Sequence, residues 1–236
     1  RRFHDEFSKK HNGLRLRMGT EPEMMWLKFD ENGKPKDGYS KPYCYHIDQF
    51  ESLRPVYMKV IEYARLMGLD MIQGDHEDAP GQLELNFSFD DVLRNADRLT
   101  TYRQICAQVA REFGIFACFM SKPFMGVSAS GCHHNMSLWR GGEDVFVPMG
   151  NDLKNLPGMQ ENYMHIKGGE NTFMPDGDDP QMPQKAGLEA IGGIVHHLRA
   201  LTAIGCSTVN SYRRLWDTGF WAPVFADWGF QNRTTG

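Results

Sequence analysis

The stretch Gly74–Phe89, GDHEDAPGQLELNFSF, limits what this chain can fold into more than any other. Asp75, His76, Glu77 and Asp78 lead to a Pro80-Gly81 break, and strict alternation follows. Gln82, Glu84 and Asn86 fall on one face and Leu83, Leu85 and Phe87 on the other, the period of a half-buried strand. A solvated strand face would account for Glu84 taken alone. A second carboxylate pair would argue for a site instead, and Glu21-Pro22-Glu23 supplies one. Read as a strand over 21–27, it points Glu21 and Glu23 into one volume. Like charges held that close raise each other's pKa unless a cation lies between them.

The remaining elements surround these two strands. Leu14–Met18 reads as a strand broken at Gly19, and Glu31–Lys41 as a hairpin or loop. Asp48 and Glu51 have capping-box spacing ahead of a helix through Met58, Ile61, Tyr63 and Leu66 that ends at Gly68. Within it, Pro55 marks either the regular start or a kink. A second helix runs from about Asp90 to Phe113, its stripe of Leu99, Tyr102, Cys106, Val109 and Phe113 assigned to the core. Ile115–Met120 is an apolar strand. The small-residue loop Gly126–Gly131 feeds another strand, in which His133, Asn135 and Ser137 share a face. Asn151–Gln184 reads as a long excursion without periodicity, of the kind that forms lids or interface arms. Lys185–Ile204 is a helix interrupted at Gly192-Gly193, with His196 and His197 on its surface or in packing. Asn210–Arg214 reads as a polar, cationic loop and Trp221–Trp228 as an aromatic strand.

Composition excludes several functions. With 236 residues, 41% hydrophobic and 24% charged, the chain can bury an ordinary globular core. A net charge of −4 without a basic run gives no reason to expect nucleic acid. No apolar run approaches the ~20 residues of a membrane helix, and Arg1-Arg2-Phe3-His4 does not open a signal peptide. Five cysteines without a CxxC pair suggest reduced thiols and a cytoplasmic location. Both ends read as internal to a longer polypeptide.

The candidate chemistry rests on Glu21, Glu23, Glu77, Glu84 and His133, with Arg214 and Arg233 as cations. Carboxylate oxygens with one imidazole and no cysteine suit Mg2+ or Mn2+. Carboxylates around cations, with arginines nearby, are how a site grips a triphosphate and steadies a transferring phosphoryl group. No Walker loop or kinase loop is present. The residues alone leave two readings open: metal-dependent phosphoryl chemistry, or a non-catalytic domain with acidic strand faces.

The same residues carry a resemblance to the glutamine synthetase family. Seven motifs occur in order: Gly19-Thr20-Glu21-Pro22-Glu23; His76 through Glu84; Ala96-Asp97-Arg98-Leu99; Phe119-Met120-Ser121-Lys122-Pro123; Ser130-Gly131-Cys132-His133; Asn210 through Leu215; and Asn232-Arg233. The resemblance implies an α+β fold, with a curved, mainly antiparallel sheet lined by metal-binding carboxylates and flanked by helices. All of 1–236 would be a partial catalytic domain, with an amino-terminal β-grasp-like domain and the C-terminal end lying outside it. The implied reaction is ATP-dependent: the glutamate side-chain carboxylate is phosphorylated, and an amine displaces phosphate to give a γ-glutamyl amide. Glu23, Glu77 and Glu84 match ligands of one cation; Glu21 and His133 match ligands of another. Mg2+ or Mn2+, two or more per site, would serve with ATP as co-substrate. Arg214 matches a glutamate-binding arginine and Arg233 one that steadies the phosphoryl group. Phe89, Asn135 and Ser137 fall where the family contacts ATP, although the family usually has histidine where Asn135 stands. Homo-oligomers, ring-shaped with active sites between subunits, are also implied.

Departures from the family pattern bear on the substrate. Glutamine synthetases carry a glutamate just before an Ala-Pro pair, where it helps bind ammonium and remove its proton. Here Trp221 precedes Ala222-Pro223, with one extra residue in the Asp217–Phe220 loop. An indole accepts no proton at neutral pH but can face an alkyl group or organic cation. Ser128-Ala129 replaces the usual Asn-Gly of the glutamate-binding loop. The expected nucleophile is therefore a primary amine, as in γ-glutamylmethylamide synthetase. A γ-glutamylpolyamine synthetase, a true glutamine synthetase and a non-catalytic relative are the alternatives.

Overall fold

One long strand at the centre of the sheet sets the architecture. In a computed structural model that describes residues 1–38, 44–141, 144–148, 163–167, 169–175, 182–216 and 226–229, β1 runs unbroken from Leu14 to Phe29. It is followed in chain order by β2 (Pro35–Gly38), β3 (Met71–His76), β4 (Gln82–Phe87), β5 (Asp90–Asp91), β6 (Phe116–Cys118), β7 (Cys132–Arg140) and β10 (Glu170–Asn171), which complete an eight-stranded sheet. Its main path is β10-β7-β1-β4-β3, every pairing is antiparallel, and the sheet curls into a half-barrel. Between β7 and β10 in sequence, β8 (Asp144–Pro148) and β9 (Tyr163–Lys167) form a separate antiparallel pair.

Two expected strands are thus one. Gly19 is extended rather than a break, and Pro22 takes over the role of a boundary. Residues 14–22 of β1 pair with β7, whereas 23–25 pair with β4 and 25–27 with β6. Proline has no N–H for a ladder, so its place at the change of partner leaves no orphaned donor.

Among the described residues, the larger of two buried clusters lies on one face of this sheet; the smaller gathers Met25, Leu27, Ala79 and Cys118. Met24, Trp26, Leu83, Leu85 and Phe87 point into the larger and meet α3 (Arg54–Leu66) and α4 (Val92–Glu112) through Val56, Tyr57, Val60, Tyr102, Cys106 and Val109. Asp91 caps α4 by accepting from the Leu93 N–H at 3.0 Å. Of the expected stripe on α4, Phe113 is instead the C-cap and 40% exposed. The Asp48 capping box does not form, because a short α2 (Ile47–Glu51) begins earlier, with His46 at its N-cap position, and places Asp48 inside its first turn. Pro55 stands in the first turn of α3, where a missing N–H costs nothing.

Three further expectations change. Tyr163–Lys167, inside the expected featureless excursion, is strand β9. The helix α5 (Lys185–Gly205) passes through Gly192-Gly193 without interruption, and His196 and His197 are exposed on it, ring against ring. Asn210–Arg214 belongs to helix α6 (Val209–Trp216) rather than a loop. The aromatic stretch from Trp221 lies outside the described residues up to Phe225, and Ala226–Gly229 carries no regular element. A first helix, α1 (Arg2–Lys10), precedes β1. No described helix is long and apolar enough to cross a membrane.

At its start α5 meets the sheet through Gly187, where an added Cβ would lie 2.5 Å from the Thr172 carbonyl oxygen and 3.2 Å from Pro183 Cβ. Backbone cannot yield as a flexible side chain can. Gly187→Ala is therefore expected to destabilise the protein by about 1–3 kcal/mol in urea denaturation.

Candidate active site

On its opposite face the sheet gathers the predicted acidic residues by register. Glu21 pairs with His133 across β1–β7, and Glu23 pairs with Glu84 across β1–β4. Cross-strand partners share a face, as do residues two apart, so the four side chains form one patch spanning three strands. β4 is not half-buried: its polar face is covered too, with Gln82 at 1%, Glu84 at 7% and Asn86 at 9% exposure.

Hydrogen bonds hold the carboxylates in place. Glu23 Oε1 lies 3.1 Å from His133 Nε2, and its Oε2 accepts from the Gly131 N–H at 2.9 Å. Asn135 Nδ2 donates to Glu21 Oε1 at 2.8 Å, and Asn86 Nδ2 to Glu84 Oε1 at 2.7 Å. Gly131 leaves room for this approach: a Cβ there would stand 2.6 Å from His133 Nε2 and displace the ring. Glu77 is the first residue beyond β3, and its N–H donates to the Gln82 carbonyl at 3.0 Å.

The electrostatics are those of crowded like charges. Burial first, then the charges of Glu21 and Glu23, push the Glu84 carboxyl up to about 7 against the opposing Asn86 bond. The hydrogen bond to Glu23 raises the His133 imidazole, while burial and the Arg214 charge oppose this. Among the described residues, no three His, Cys, Asp or Glu side chains are arranged as a finished metal cage. The donor set nevertheless fits a hard divalent cation: oxygen-rich, with one imidazole and a buried carboxyl that nearby positive charge would stabilise.

Two flanks complete the site. Along one face of β7, His133, Asn135 and Ser137 are followed by Trp139, which sequence reasoning passed over although the same alternation reaches it. Trp139 Nε1 donates to Ser137 Oγ at 2.7 Å, its ring stacks on Phe89 at 6.4 Å between centroids, and the Arg17 guanidinium lies 4.3 Å from its centroid. The three expected ATP contacts, Phe89, Asn135 and Ser137, are thereby brought together. On the other flank, Ser128 Oγ donates to the Asp78 carboxylate, and the Ala129 carbonyl accepts from Gln82 Nε2 at 3.1 Å. Asn210 clasps Lys122 through two 2.7 Å bonds to its backbone N–H and carbonyl. This fastens α6 to the loop and brings Arg214 within electrostatic reach of His133; Arg214 Nε is buried and has no hydrogen-bond partner among the described residues. Trp221 and Arg233 lie outside the described residues.

A family model described as glutamine synthetase, catalytic domain, matches residues 4–165 and 153–236. The chain belongs to this family. The glutamine synthetase of Methanosarcina mazei is 32% identical over 231 residues, covering 94% of this chain and 44% of the relative. That of Rhizobium meliloti is 32% identical over 232 residues, covering 94% and 46%. The chain thus spans less than half the length of these curated relatives. Among solved structures, a GmaS/ADP complex superposes with a TM-score of 0.75 at 29% identity, covering 98% of this chain and 48% of its own. The Plasmodium falciparum glutamine synthetase reaches 0.76 at 21% identity, covering 99% and 46%, a likeness of fold.

Proposed function

We propose that the protein containing this chain is an ATP-dependent ligase that joins the side-chain carboxylate of glutamate to a small primary amine, methylamine in the first instance. The observation that carries the ligase reading is the in-register set Glu21–His133 and Glu23–Glu84 on three adjacent strands, within a glutamine synthetase catalytic domain. Glu21, Glu23, Glu77, Glu84 and His133 would hold Mg2+ or Mn2+. Such a cation would supply positive charge to offset that of the nucleotide phosphates. The chain's own residues orient the reactants. Phe89, Ser137 and Asn135 face the nucleotide, and Arg214, with its buried Nε, pairs with an anionic substrate group. The loop at Ser128 and Ala129 borders the glutamate. Arg233 steadies the transferring phosphoryl group. Active sites shared between subunits of a homo-oligomer are part of this proposal.

Amine choice rests on Trp221, which stands where glutamine synthetases have a proton-accepting glutamate. Likeness to two GmaS (γ-glutamylmethylamide synthetase) structures, at 29% and 28% identity, supports this choice. The test is phosphate release by the full-length protein with ATP, glutamate and Mg2+ across a panel of amines. Methylamine should be turned over at least about tenfold faster than ammonia, a difference of ~1.4 kcal/mol. Trp221→Glu should move the preference toward ammonia or abolish activity by burying an unpaired charge. Equal rates with ammonia and methylamine would favour a true glutamine synthetase, and release without any amine would remove the ligase reading altogether.

A further inference from the structure

Gln82 received no role from the sequence beyond a place on the polar face of its strand, yet all its polar atoms are engaged. It is 1% exposed. Its Oε1 accepts from the Ala79 N–H at 2.9 Å. Its Nε2 lies 3.0 Å from Glu23 Oε2, 3.1 Å from the Ala129 carbonyl and 3.2 Å from Ser130 Oγ. The partners fix the orientation of the amide, because a flipped group would set oxygen against a carboxylate and a carbonyl.

Three pieces of the site therefore meet at one side chain: the turn after β3, the carboxylate of Glu23, and the loop at Ser128–Ser130. Gln82 and the Gly131 N–H together occupy Glu23 Oε2, so Oε1 is the oxygen left toward His133. The loop is tied to the same turn a second time, by Ser128 on Asp78. We propose that Gln82 is a positioning residue that selects which oxygen Glu23 presents and sets the loop at Ser128–Ser130 against it. The metal end and the substrate loop then share one registration point. Partners of this kind around a ligand carboxylate govern its orientation, and losing one weakens metal binding about 10–100-fold.

The inference rests on reading Glu23 as a cation ligand, and its test separates the two. In the full-length protein, Gln82→Met keeps the volume and removes the amide. Mn2+ affinity, measured by titration calorimetry without nucleotide, should fall about tenfold or more. In the metal-free protein, hydrogen exchange of the segment 126–132 should accelerate, since Gly131 loses a fixed acceptor. Leu85→Val, a buried change on the opposite face of the same strand, should lower the melting temperature while leaving both readouts alone. Mn2+ affinity of Gln82→Met within about twofold of the parent protein would overturn the proposal, and so would unchanged exchange. If Glu23→Ala also leaves Mn2+ affinity unchanged, the ligand reading fails instead, and the exchange of 126–132 alone judges the link to the loop. Should Gln82→Met not fold, Gln82→Glu retains the acceptor for Ala79 and sets a carboxylate against Ala129; the same exchange should accelerate, and its failure to do so would overturn the link.

Discussion

Replacing Glu84 with alanine is expected to lower kcat/KM of the full-length protein in the proposed ligation by about a thousandfold or more. Removing even a single preorganised electrostatic partner costs ~10²–10³ in rate, and a direct ligand, the role proposed for Glu84, should matter more than the groups that orient it. Glu84 stands opposite Glu23 at 7% exposure, with its carboxyl already pushed up to about 7. The informative companion is Glu84→Gln. Its amide oxygen can still accept from Asn86 Nδ2, and a neutral group escapes the penalty that burial and the Glu21 and Glu23 charges place on the anion. Stability of the metal-free variant at pH 8 should therefore match or exceed that of the parent, while activity is lost. Steady-state assays with ATP, glutamate and amine, beside thermal melts, separate the two quantities. Full activity in Glu84→Ala would reduce this carboxyl to a structural group.

A second large effect is expected away from the chemistry. Arg98 on α4 lies 3.2 Å from both Asp70 and Asp90, and the Asp90 side chain is fully buried. Ser88 Oγ donates to the same Asp70. Removing one partner of a buried ion pair costs about 3–5 kcal/mol, and the half-exposed Arg94, 3.5 Å from Asp90, would offset only part of the charge left behind. Arg98→Leu should lower the unfolding free energy by that amount in urea. Arg98→Lys, a point charge without the guanidinium fork, should recover part of it. Because this cluster flanks Phe89 in sequence, the leucine variant should also weaken nucleotide binding in whatever fraction stays folded.

The sequence already displays the candidate site, because its residues follow strand alternation. Positions two apart share a face, so Glu21 with Glu23, Gln82 with Glu84 and Asn86, and His133 with Asn135 and Ser137 are legible without coordinates. The register that sets Glu23 against Glu84 is not legible, since it depends on long-range pairing. Local punctuation misled where tertiary pairing prevailed. Gly19 and Gly192-Gly193 looked like breaks, yet a glycine in an extended or helical run costs only ~1 kcal/mol, which packing overrides. Asn210–Arg214 looked like a loop because it is polar, but Thr208 announces a helix: its Oγ1 accepts the Ser211 N–H at 3.2 Å, the cap expected of a threonine before α6. Asp78 and Gln82 stayed silent because their importance lies in what they hold in place.

The exchange of partners along β1 also has a consequence in time. His133 and Glu23 touch although 110 residues separate them in the chain. At ribosomal speeds of about 5–20 residues per second, roughly 5–20 s pass between the emergence of β1 and that of the strand that must lie beside it. During that interval the edge of β1 from Leu14 to Pro22 lacks the strand it hydrogen-bonds along. The newborn chain is therefore most exposed to aggregation before β7 appears, and chaperone dependence should be greatest in that window.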